Sequence, residues 1–147
     1  MGDDEAGLNN RLQIRGIFEE ANKLAGFKKV VVCINGHTHI DQNQEINGIH
    51  YIQINSSSYR WLGTKYMMTG RYSKKLDNCY PDLRYTAPYK DSLYAFVEIT
   101  GKEIIIKGKL SEFVGPHPKD MGYKGSDLEY TKPDISDNAS IVNESCF

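Results

Sequence analysis

One stretch restricts the fold of this chain more than any other: Val30-Val31-Val32-Cys33-Ile34-Asn35-Gly36-His37-Thr38-His39. Branching at Cβ favours extended backbone and packs well on a covered, pleated surface, so the run predicts a buried strand. The strand is expected to stop at Asn35-Gly36, where a residue without Cβ lets the backbone turn sharply. On extended backbone His37 and His39 would point to one side, roughly 6–7 Å apart at the strand rise. Neutral imidazole is the commonest side-chain metal ligand, so the two histidines are a candidate half of a metal site. Asp41, two residues further on, can reach the same side as a weak third ligand or as a hydrogen-bond partner to one.

The flanking patterns set the class. Ile14, Ile17, Phe18, Ala21, Leu24 and Ala25 recur at three- and four-residue steps and predict a helix from Asn10 to Ala25. Asn9 or Asn10 can cap its start, and Gly26 stands where a helix stops. Beyond His39, residues 42–46 and 49–54 flank Asn47-Gly48, the strongest two-residue hairpin signal. Tyr59 to Ala87 holds Trp61 and several tyrosines without clean periodicity, and is expected to form long loops of the kind that line clefts. Ser92–Ile99 and Glu103–Leu110 read as a second hairpin around Gly101-Lys102. From Phe113 the chain is rich in Gly, Pro, Asp, Ser and Asn, and is expected to wrap the surface or stay disordered. The expected fold is therefore α/β (α+β), with one main helix and mostly antiparallel strands, a body over residues 8–112 and a tail over 113–147.

Composition removes some function classes. A net charge of −1 lacks the basic excess that phosphate backbones demand, so no nucleic-acid partner is expected. No apolar run nears the ~20 residues that span a bilayer, so no membrane partner is expected either. The acidic, polar first residues resemble no secretory leader, which places the chain in the cytoplasm by default. The three cysteines, Cys33, Cys79 and Cys146, have no metal-type spacing and give no disulfide framework. Cys33 reads as a small buried hydrophobe.

The order of apolar strand, Gly36-His37-Thr38-His39, Asn-Gly hairpin and serine-rich strand end at Ser56-Ser57-Ser58 resembles the calcineurin-like metallophosphoesterases. The resemblance covers residues 8 to about 110, as the C-terminal half of that β-sandwich fold. It implies a phosphoester hydrolase in which two divalent ions (Mn, Fe, Zn or similar) support hydroxide attack on phosphorus. His37 and His39 would be metal ligands, one to each ion, and Gly36 the turn that aims them. The family's earlier motifs, Asp-x-His, Gly-Asp-x-x-Asp and Gly-Asn-His-Asp/Glu, do not occur in this sequence. The expectation is thus an incomplete portion of such an enzyme, inactive alone and binding at most one ion weakly. Its strand Lys28 to Ile34 would lack neighbours, and the exposed edge invites self-association.

Two other readings compete. A non-catalytic remnant or interaction domain would carry the same residues without a complete centre. His37-Thr38-His39-Ile40-Asp41 also matches the start of the His-x-His-x-Asp-His signature of metallo-β-lactamase folds, but position 42 is Gln and a strand is expected to follow. Among other residues, His50 reads as a sheet histidine and His117 as an exposed loop residue. Tyr59-Arg60-Trp61 could offer a cation and a stacking surface to a phosphate ester, against the plainer reading of a packed Trp61 beside a solvated Arg60. Asn55-Ser56-Ser57, Asn138-Ala139-Ser140 and Asn143-Glu144-Ser145 fit the glycosylation acceptor pattern, which short sequences meet by chance.

Overall fold

The computed structural model describes residues 8–67, 71–125 and 128–141. The expected lead-in Met1–Gly7, Cys146 and the acceptor pattern at Asn143 lie outside the described residues. Helix α1 (Arg11–Ala25) fills the expected span and ends where Gly26 takes left-handed backbone (φ 73°), its N–H bonded to the Asn22 and Lys23 carbonyls. Glycine meets that conformation at no steric cost. Asn10 precedes the helix but makes no side-chain cap bond. Asn22 fastens α1 to the strand that follows, donating to Val30 O at 2.8 Å and accepting from Val30 N at 2.6 Å.

Strand β1 (Val32–Asn35) pairs parallel with β3 (Ile49–Gln53), and β2 (Gln42–Ile46) pairs antiparallel with it, giving the order β1-β3-β2. Asn47 (φ 51°) and Gly48 (φ 76°) make the tight turn that Asn-Gly predicts. Asn47 Nδ2 also donates to Glu19 of α1 at 2.8 Å, so one residue closes the hairpin and holds the helix to it. Strands β4 (Tyr59–Trp61) and β5 (Thr86–Pro88) form an antiparallel pair. Between them lies the short helix α2 (Lys74–Cys79), with Ser73 Oγ accepting from Leu76 N as its cap. A third sheet joins β6 (Ala95–Ile99), β7 (Glu103–Gly108) and β8 (Asn138–Ile141) in that order, antiparallel throughout. The class is α+β with mostly antiparallel sheets, and no helix among the described residues is long and apolar enough to cross a membrane.

The main core lies between the first and third sheets. Ile52 of β3 meets Ile104 and Ile106 of β7, with Leu93, Tyr89 and Ile135 closing round them and Val32 packing from β1. Alternation along β3 sends His50, Ile52 and Ile54 inward and Tyr51 outward, toward α1.

Three expectations are corrected. The Val30–Ile34 run is not deeply buried: among the described residues β1 is an edge strand whose Val32 and Cys33 are half-buried and whose Ile34 is exposed. Residues 59–87 are not plain loops, since β4 and α2 lie within them and β5 begins there. The segment from Phe113 does more than wrap the surface. It supplies β8 and buries Tyr123, Thr131 and Ile135.

Candidate metal centre

Among the described residues, two of the three with positive φ other than glycine are the candidate ligands themselves: His37 (φ 83°) and His39 (φ 55°). The expected extended geometry is therefore replaced by a bend beyond β1. Gly36 is not the left-handed residue, and a Cβ there would meet only Ile54 O at an ordinary 3.7 Å. Left-handed backbone costs an L-residue roughly 1–2 kcal/mol, so the turn persists only because its surroundings hold it.

Arg60 does the holding. It lies in β4, paired across to Ala87, and is 3% exposed. One guanidinium nitrogen donates to the Thr38 carbonyl and to the His39 carbonyl, the latter at 3.0 Å. The side chain also hydrogen-bonds Tyr123, which in turn bonds Thr131. Burial draws the Arg60 pKa below its ordinary value, opposed by nearby Tyr123 and Tyr89. A planar fork of donors suits this task, since it reaches successive carbonyls while remaining a cation. Next to it Tyr89 donates to Asn55 Oδ1 at 2.9 Å, and Asn55 Nδ2 donates to the Lys132 and Asp134 carbonyls. Burial pushes the Tyr89 phenol up to about 12. The plainer sequence reading of this segment is reversed: Arg60 is buried, and Trp61 is 45% exposed.

His39 is half-buried, with its ring edge-on to Tyr59 at 4.8 Å between centroids. The ring is hydrogen-bonded to the Tyr59 backbone, while Nδ1 is buried with no protein partner. Burial chiefly, then the charges of Arg60 and His37, lower its pKa below 6.5. A neutral imidazole whose Nδ1 makes no protein contact has a lone donor atom of the kind a metal ion takes. His37 is exposed. Asp41 is drawn elsewhere, its Oδ2 accepting from Ser136 N at 2.9 Å. It lines a polar cavity of about 370 Å³ with Asn43, Glu129, Tyr130 and Lys132. Among the described residues no group of three or more His, Cys, Asp or Glu converges to hold an ion.

The remaining histidines lie apart. His50 is buried on the inner face of β3 with Nδ1 lacking a protein partner. His117, expected to be exposed, is half-buried against Phe113 and accepts from Lys119 N at 3.1 Å. Sequence reasoning missed Arg60 as a support. The available signal was a lone cation in an aromatic three-residue strand, where alternation must bury either the centre or its neighbours. No family model, no curated protein and no solved structure matches this chain.

The lowered His39 pKa fixes a pH dependence. Folding favours the neutral ring, so its contribution is full above the unfolded value of 6.5 and is lost as pH falls through the lower folded value. Thermal melts taken from about pH 8 down to pH 5 should show stability falling below 6.5, and His39→Asn should flatten that slope. Equal slopes in the two proteins would contradict it.

Proposed function

We propose that the turn after β1 gives two imidazole ligands, His37 and His39, to a two-metal phosphoester hydrolase centre of calcineurin-like type. The rest of the centre comes from residues outside 8–141. The observation that carries this reading is His39, whose Nδ1 is buried without a protein partner while the ring is anchored on the Tyr59 backbone. Carbonyl contacts from Arg60 hold the turn that offers it. The order of helix, edge strand, histidine turn and Asn-Gly hairpin, packed on a second sheet, is compatible with the resemblance. Bound divalent ions would polarise phosphoryl oxygens and lower the pKa of the attacking water. Imidazole donors suit Zn and Fe, Mn would lean on oxygen ligands from the rest of the centre, and the substrate class is a phosphate ester. Asp41 is not assigned as a ligand, because its carboxylate serves Ser136.

A second reading, a non-catalytic interaction domain, is favoured by the lack of a third converging ligand among the described residues. The metallo-β-lactamase alternative fares worse, since β2 begins at Gln42 with a strand.

Titration of the chain with Zn or Mn, followed by the imidazole resonances of His37 and His39, separates these readings. Weak binding that perturbs both rings and vanishes in His37→Ala/His39→Ala is expected, without hydrolysis of an aryl phosphate above the metal-only background. Rings unmoved at millimolar metal would favour the interaction domain. Metal-dependent turnover lost in the double variant would mean that residues 8–141 hold further ligands.

A further inference from the structure

The two outer sheets of the molecule have unlike flanks. Asp41, at the head of β2, bonds Ser136, which leads into β8, so β2 and β8 share one flank. The other edges, β1 and β6, then share the opposite flank. The β2 edge is polar along Gln42-Asn43-Gln44-Glu45, as protected edges are. The β1/β6 flank is apolar in every layer. Ile34 of β1 and Val97 and Ile99 of β6 stand at inward-facing positions of their sheets, in register with Ile52, Ile106 and Ile104, yet are exposed. Above them Ile17 and Leu24 lie on the side of α1 turned away from Glu19, which accepts from Asn47 in the turn between β2 and β3. These five side chains are between 38% and 79% exposed.

The backbone of β1 is open on the same side. The Val31 and Asn35 carbonyls accept from His50 and Ile54 at 3.0 and 2.9 Å. By alternation Val32 and Ile34 direct their N–H and C=O groups away from β3, and among the described residues no strand pairs with them.

We propose that this flank binds a second copy of the chain, β1 against β1, forming one continuous sheet across a two-fold axis normal to it. Such an axis sets each layer against its own kind, α1 on α1 and β6 on β6, so the flank is self-complementary, as an isologous interface requires. Antiparallel pairing of the two β1 strands satisfies the open groups of Val32 and Ile34. Net charge imposes little repulsion, at −1 per chain. The five side chains leave roughly 500 Å² of apolar surface per copy, which with the strand edges approaches the ~800 Å² per partner of a standard interface. The assembly is independent of any metal, so it stands or falls apart from the reading of the histidines.

Sedimentation of the full chain tests it. The expected species has twice the 16.7 kDa chain mass at tens of micromolar. Ile34→Pro removes an edge donor that β3 does not use, and Leu24→Lys puts a charge on the α1 side of the flank; each should shift the species to monomer with an unchanged far-ultraviolet spectrum. Should Ile34→Pro fail to fold, Leu24→Lys carries the test, since Leu24 is solvent-exposed on the helix. A wild-type monomer overturns the proposal, including one whose Val32 and Ile34 amides resist exchange because another part of the chain covers them. A dimer that survives both substitutions also overturns it.

Discussion

Arg60→Ala is expected to cost about 3–4 kcal/mol of folding stability, because it empties a buried side-chain site and strips the donor from two part-buried carbonyls. The Thr38 and His39 carbonyls would lose their guanidinium partner, and Tyr123 a hydrogen-bonding neighbour. Urea denaturation should show the loss as a fall in midpoint with little change in slope. Arg60→Met, which keeps most of the volume, should recover packing but not the carbonyl bonds. With either substitution the turn loses what offsets its left-handed backbone at His37 and His39. Backbone couplings there should therefore change more than those of β7, which lies in a different sheet. Removing the Arg60 charge should also raise the His39 pKa toward 6.5, since that charge contributes to lowering it. A variant as stable as the parent, with couplings unchanged, would show that the turn holds itself.

Gly108→Ala should be comparably damaging for a purely steric reason. A Cβ at Gly108 would lie 1.9 Å from the Ile135 carbonyl oxygen and 2.4 Å from its carbonyl carbon, so backbone, not a flexible side-chain tip, must move. Ile135 is 1% exposed and donates its N–H to Lys109 O, while Gly108 N donates to Asp137. Relief of the clash therefore displaces the segment leading into β8 and opens the main core, at about 3 kcal/mol on the scale of overpacked interiors. Gly101→Ala meets nothing within 4 Å and serves as the control, with a change expected within about 0.5 kcal/mol. Near-equal urea midpoints for the two variants would refute the argument.

How far the sequence could be read depended on whether local chemistry alone decided the outcome. Helix α1 and both hairpins follow from periodicity, Gly26 and Asn47-Gly48, and the structure keeps them within a few residues. Those signals act over one turn or one strand. The burial of β1 is less than the sequence predicts because Val30–Ile34 reads the same whether or not a neighbour covers it. The backbone at the histidines departs from the extended form for a related reason. Gly36 is the residue most able to turn, yet distant carbonyl contacts from Arg60 place the left-handed conformation on His37 and His39. Asp41 was within reach of the pair by spacing, and only Ser136, far along the chain, decides where its carboxylate goes. Ile135 and Tyr123 lie in a stretch whose Gly- and Pro-rich composition hid their burial.

The Asn47 contact also exposes the molecule to chemical ageing. Asparagine before glycine is the pair most prone to succinimide formation, since the glycine nitrogen meets little steric hindrance in attacking the side-chain amide. Here that amide is the donor to Glu19, at 2.8 Å. Hydrolysis of the succinimide would leave aspartate or isoaspartate, exchanging the donor for a second carboxylate beside Glu19. A hydrogen bond between helix and hairpin would become a like-charge repulsion. Isoaspartate would also lengthen the main chain by one carbon inside a two-residue turn. The same residue that joins α1 to the sheet thus limits how long a stored sample keeps them joined.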